Sequence, residues 1–166
     1  MAQTVFLHYT QDELNRNFDK RAWVDNALEA IGRYSVHSRA TRKRFAHQAN
    51  IAYGTHPDEV LDFSSAGDSG DPVQVFIYGE AGKNFAKDDY SFATDSYVRA
   101  GLSTVVLDFS KLPEERPPTV MDPVRRGITW VHDNAHRLGV DPARLYVSTQ
   151  SIGRAPCCSR HSERHP

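Results

Sequence analysis

Arg144-Leu-Tyr-Val-Ser-Thr-Gln-Ser-Ile-Gly153 is a short apolar run that passes without a break into a serine set among small residues. Its length and apolar content are those of a strand. Ser151 then stands between Thr149 and Gly153, at the spacing of a G-x-S-x-G turn, where small residues two before and two after keep side chains from colliding across a tight strand-to-helix bend. Gly153 suits that bend. Thr149 is β-branched and tolerates crowding less well than glycine, so the turn gains its meaning from what precedes it.

Upstream, strands and helices alternate. Val73-Gln-Val-Phe-Ile-Tyr78 reads as a strand, Asp88 to Ala100 as a helix ended by Gly101, and Ser103 to Phe109 as a second strand rich in β-branched residues. Lys111 to Thr119 is a proline-rich loop, Asp122 to Leu138 a helix, and Gly139-Val-Asp-Pro142 turns the chain into the strand at Arg144. This alternation predicts a parallel sheet with crossover helices. Before it, Ile51-Ala-Tyr and Val60-Leu-Asp-Phe predict an antiparallel edge, set off by turn formers at Gly54-Thr-His-Pro57 and Ala66 to Pro72. The first fifty residues read as helix: Thr10 is placed to cap Gln11-Asp12-Glu13, and Val24, Leu28, Ile31 and Tyr34 recur at helical spacing within Ala22 to Ala49. Ligands on such a sheet bind at the carboxyl ends of the strands, where Tyr78-Gly79, Asp108-Phe109 and Ser151 are expected.

Composition bounds the rest. The 166 residues amount to one ordinary domain, with 39% hydrophobic and 25% charged residues. Twenty Lys and Arg against 21 Asp and Glu leave a formal charge of −1, which gives no electrostatic reason to expect nucleic acid or an anionic membrane as partner. No apolar stretch approaches membrane-spanning length, and Met-Ala-Gln-Thr-Val-Phe-Leu-His lacks the regions of a signal peptide, so the expectation is a cytoplasmic protein. The two cysteines, Cys157 and Cys158, are adjacent and are not a secreted-type disulfide framework.

Element order and three local patterns, from about Ala52 to Gly153, resemble the α/β-hydrolase fold, and within it the bacterial kynurenine formamidase (arylformamidase) and esterase group. The patterns are Val75-Phe-Ile-Tyr-Gly-Glu-Ala-Gly82, where that group carries H-G-G-x-W; Lys87-Asp-Asp-Tyr-Ser-Phe92; and Asp141-Pro-Ala-Arg-Leu-Tyr-Val-Ser148 leading into the turn at Ser151. The resemblance implies a serine hydrolase of small esters or aryl formamides. Ser151 would be the nucleophile, and Gly79, Glu80, Ala81 and Ile152 would supply the oxyanion hole. Tyr78 and Gly82, in the places of His and Trp, would flank the substrate. Glu80, in place of Gly, brings a carboxylate toward a developing oxyanion, which raises its energy unless the side chain turns away or is protonated. No cofactor or metal is implied.

In that fold the acid and the histidine follow the nucleophile. After Ser151 this sequence has His161 and His165 in a stretch, Arg154-Ala-Pro-Cys-Cys-Ser-Arg-His161, without apolar periodicity. The expected division is therefore a helical extension over 1–50, a partial α/β-hydrolase domain over 51–153 and an irregular tail over 154–166, frameshifted from about Arg154. This chain is expected to turn over little or nothing, and to offer an exposed sheet edge for self-association. The competing readings are a non-catalytic binding or assembly protein of the same fold and a flavodoxin-like domain holding an anion at Ser148 to Ser151. Cys157, Cys158, His161 and His165 carry the donor types of a zinc site without its usual spacing. His132 and His136 have the i, i+4 spacing of a metal pair without the glutamate that accompanies it, and Asp108, after an apolar strand, is open to a catalytic role or to the commoner one of capping the next loop.

Overall fold

Val73–Ile77 and Ser103–Leu107 are buried at every position, and they lie side by side inside the sheet. The computed structural model describes residues 3–19, 23–79, 86–109 and 117–150. At the N-terminus a two-stranded sheet, β1 (Thr4–Phe6) and β2 (Tyr9–Thr10), leads into α1 (Gln11–Phe18), and α2 spans Ala27–Arg44. A five-stranded sheet follows: β3 (Gln48–Ala52), β4 (Val60–Ser64), β5 (Asp71–Ile77), β6 (Ser103–Leu107) and β7 (Val140–Thr149), in the order β3-β4-β6-β5-β7. β4 is antiparallel to both β3 and β6, whereas β5 is parallel to β6 and to β7. The predicted antiparallel edge feeding a parallel sheet is thus the observed topology.

Helices α3 (Lys87–Tyr90) and α4 (Ala93–Arg99) carry the chain from β5 to β6. Helices α5 (Pro117–Asp133) and α6 (Ala135–Leu138) carry it from β6 back past β5 to β7. Right-handed crossovers taken in opposite directions put their helices on opposite faces. Side-chain alternation agrees. Leu107 lies under Gly127 of α5, while Val106, one residue earlier, borders a small hollow with Thr41 and Arg42 of α2 and Thr94 of α4. The α5 face is mainly apolar, with Leu61, Val73, Val75, Ile77, Val105 and Leu107 completely inaccessible, and its buried Ser103 donates to Asp71 at 3.4 Å.

The opposite face buries polar groups, and the most heavily charged of them, Asp62, is satisfied several times over, as burial requires. Asp62 receives Lys87 at 3.0 Å, Arg42 of α2, and the Asn50 amide at 2.9 Å. Asn50 takes a left-handed backbone (φ 57°), which asparagine tolerates, at an irregularity in the β3–β4 register.

Some boundaries differ from the sequence reading. The predicted helix over 88–100 is two, because the Phe92 amide is diverted to the Ser38 hydroxyl of α2 at 3.0 Å. The helix predicted from Asp122 begins at Pro117, since proline costs nothing in a first turn whose N–H groups have no helical partner. It breaks at Asn134, and α6 then ends on Gly139 with φ 73°. The segment read as helix over the first fifty residues also contains β1, β2 and the start of β3. Among the described residues, no helix is long and apolar enough to cross a membrane.

Candidate functional site

The parallel strands end level with one another. Ile77 of β5 pairs with Leu107 of β6 on one side and Thr149 of β7 on the other. The β5–β7 pairing runs one residue further, the Gln150 amide donating to the Ile77 carbonyl at 3.0 Å. Tyr78-Gly79 follows Ile77 in sequence and Ser151 follows Gln150, so the two stretches singled out by sequence start from neighbouring strand ends.

Tyr78 alternates with Ile77 and so faces the α2–α4 side of the sheet. Its ring lies stacked between Tyr90 of α3, 4.8 Å away, and Phe109, 5.2 Å away, and the residue is 2% exposed. The hydroxyl donates to Asp108 Oδ1, which also accepts the Phe109 amide at 3.1 Å. From the β3–β4 loop, the Tyr53 hydroxyl donates to the Asp108 carbonyl at 2.6 Å. Burial, and then the Asp108 charge, push the Tyr78 phenol far above its ordinary value. Burial, Glu59 and Asp108 do the same to Tyr53. Both phenols are therefore neutral donors at any pH the protein meets.

The β3–β4 loop is fixed at this end by a second buried carboxylate. Glu59 is 3% exposed and pairs with Arg126 of α5. Burial acts to raise its pKa, but the Arg126 hydrogen bond and charge and the amides of His56 and Thr55 outweigh it, leaving Glu59 below the usual carboxylate range. Gly54 permits this: a Cβ there would stand 1.6 Å from Glu59 Oε2.

Gly79 is buried, and its carbonyl accepts the Tyr90 hydroxyl at 3.0 Å. Of the sequence candidates, the structure thus brings Tyr78 and Gly79 to the carboxyl end of the sheet. Tyr78, offered as a substrate contact, spends its hydroxyl on Asp108 inside the core. Glu80, Ala81, Gly82, Ser151 and Ile152 lie outside the described residues, as do Cys157, Cys158, His161 and His165. His132 and His136 sit on either side of the break between α5 and α6, and His132 pairs with Asp133. Among the described residues, no group of three or more His, Cys, Asp or Glu is placed to hold a metal.

The sequence left Asp108 between a catalytic role and the commoner loop cap, and assigned no role to Tyr53 or Tyr90. Their signal was present but indirect, Tyr90 within Lys87–Phe92 and Asp108 at the tip of an apolar strand.

No family model matches the chain. A curated protein of Arabidopsis thaliana, named a probable isoprenylcysteine alpha-carbonyl methylesterase, is 29% identical over 106 residues, which is 63% of this chain and 25% of that protein. Among solved structures, a Silicibacter protein assigned as a thioesterase superposes with a TM-score of 0.73 at 16% identity, over 84% of this chain and 52% of that one. Esterase LipW of Mycobacterium marinum gives 0.64 at 22% identity, over 77% and 42%. A thermostable carboxylesterase cloned from a metagenomic library gives 0.60 at 19%, over 81% and 50%. The chain therefore spans a quarter of the curated relative and about half of each solved one. Strand order, the antiparallel edge and these superpositions together make the five-stranded sheet the N-terminal part of an α/β-hydrolase fold.

Proposed function

We propose that the chain carries the nucleophile half of a serine esterase, with Ser151 as nucleophile and the backbone of Gly79, Glu80, Ala81 and Ile152 as the oxyanion hole. One observation carries this reading: the 3.0 Å bond from the Gln150 amide to the Ile77 carbonyl, which starts both motif stretches from adjoining strand ends. In the reaction, Ser151 Oγ bonds to an ester carbonyl carbon as its proton passes to a histidine. The tetrahedral oxyanion collapses, the alcohol leaves with that proton, and water then hydrolyses the acyl-enzyme by the same route. Oxyanion donors of this kind contribute on the order of 3 kcal/mol each to lowering the barrier. No cofactor enters the chemistry.

The substrate is a small-molecule ester, and the finer possibility suggested by the sequence patterns is an aryl formamide of the kynurenine formamidase type. Gly82 and the Tyr78 backbone would border it. A polypeptide of these 166 residues alone has only His161 and His165 after Ser151, so little or no unaided turnover is expected of it. The second reading, a binding protein without catalysis, is favoured by Glu80, a carboxylate in the oxyanion stretch.

External imidazole can stand in for a missing base, which makes the nucleophile testable in this chain. Incubation with p-nitrophenyl acetate or N-formylkynurenine and imidazole is expected to acylate Ser151, read by peptide mass spectrometry, with no such adduct in Ser151→Ala. Acyl groups found only on lysines, at equal rates in both proteins, would favour the binding reading instead.

A further inference from the structure

Three hydroxyl-bearing residues on the α2–α4 side of the sheet meet at the hollow beside Val106. Thr41 of α2, Ser64 of β4 and Thr94 of α4 all line it, and they are 8%, 6% and 4% exposed. Other buried hydroxyls on this side have protein acceptors: Ser38 donates to the Asp89 carbonyl at 2.7 Å and Ser91 to the Lys87 carbonyl at 3.3 Å. Among the described residues, no group is hydrogen-bonded to the hydroxyls of Thr41, Ser64 or Thr94. A buried hydroxyl left unmet forfeits its hydration with nothing in return, and three around one space point to an occupant.

The charged groups around the hollow are already matched. Arg42 and Lys87 each pair with both Asp62 and Asp88, two cations against two carboxylates, which leaves no net charge to draw an ion. His47, also on the wall, turns Nδ1 to the Phe45 carbonyl at 3.3 Å. Size agrees with a small neutral guest. The centre of an occupant has about 10 Å³ to move in, close to the least that one water needs. Each hydroxyl can donate or accept and water does both, so one molecule serves all three in whichever direction they rotate.

We propose that this hollow is a binding site for one ordered water, held by the hydroxyls of Thr41, Ser64 and Thr94 and joining α2 and α4 to β4. The site is independent of the esterase reading, and it gives α2 a bond to the sheet besides the Arg42–Asp62 pair.

A high-resolution crystal structure of the unaltered chain tests the site directly. One water-sized density peak is expected within hydrogen-bond reach of at least two of the three hydroxyls. Thr41→Val and Thr94→Val keep the branched side-chain shape and remove only the hydroxyl. Each is expected to lower Tm by about 3 °C, the size of one lost hydrogen bond. Together they are expected to empty the hollow, and their combined shift to differ from the sum, because two hydroxyls with no bond to each other share one partner. An empty hollow in the unaltered chain, or a peak that stays in place when both threonine hydroxyls are gone, overturns the proposal. A peak with anomalous scattering identifies an ion and overturns it too. Shifts that simply add show the two hydroxyls acting separately and overturn the shared partner.

Discussion

Leu107 and Gly127 meet where α5 crosses β6, and their contact sets how close that helix can lie. A Cβ on Gly127 would stand 2.5 Å from Leu107 Cδ1, and Leu107 is fully enclosed. Overpacking of this kind costs about 1–3 kcal/mol, against a helix-propensity gain of up to about 1 kcal/mol for alanine. Gly127→Ala is therefore expected to destabilise the fold by about 1 kcal/mol in urea unfolding, and adding Leu107→Val is expected to recover part of the loss. A stabilised single variant would show that α5 is free to move outward. At this scale the sequence is only partly legible. Asp108 stands out as a charge at the tip of an apolar strand, yet nothing local says that Tyr53, 55 positions earlier, and Tyr78, 30 positions earlier, donate to it. Such pairings come from the sheet order, which brings distant strand ends together.

Helix α2 is joined to the sheet largely by charge, and the joint has a definite pH dependence. Burial works to raise the Asp62 carboxyl, but the Asn50 amide, Lys87 and Arg42 more than offset it, so its folded pKa lies below the ordinary value. A carboxylate depressed on folding contributes stability that is fully present above its unfolded pKa, about 3.9, and is lost as pH falls through the lower folded value. Acid unfolding is thus expected to set in below about pH 4, and Asp62→Asn to flatten that limb of the stability curve. At neutral pH the same substitution leaves Lys87, whose side chain is 6% exposed, with the more exposed Asp88 at 3.0 Å as its carboxylate partner, at a cost of up to about 3 kcal/mol. Adding Lys87→Met is expected to return much of that, read as a non-additive double-mutant cycle. Elements of this kind were legible by type and less so by extent. Thr10 caps α1 in a reciprocal box with Glu13, as its position predicts. The split of the 88–100 helix was not legible, because it depends on Ser38 of α2 reaching Phe92 across 54 residues.

For the whole molecule, the stability of the described fold resides in the sheet and in helices α2 to α6. The buried apolar cluster runs from Tyr53 to Val140, whereas α1 has no buried residue. The large exposed apolar side chains gather early in the chain, among them Phe6, Leu7, Phe18, Trp23 and Leu28. This division was partly visible in the sequence, since the resemblance begins at about Ala52, where period-2 patterning replaces helical spacing. It was incomplete because α2, upstream of that point, is joined to α3 not only by Tyr34 against Tyr90 but by Ser35 and Ser38 donating to Asp89, contacts that no hydrophobic period reports. Removing residues 1–24 is therefore expected to shift Tm by less than about 4 °C. The same deletion separates two routes to self-association. Among the described residues β5 is the one strand that pairs with β7, and Tyr146 on β7 is 53% exposed, which makes its unpaired edge a template for a second chain. Sedimentation velocity across a concentration series is expected to show assembly that survives the deletion and weakens in Tyr146→Lys, because a charge on an edge strand opposes pairing. Assembly abolished by the deletion and unaffected by Tyr146→Lys would instead assign it to the apolar N-terminal segment, and the sheet edge would have no part in it.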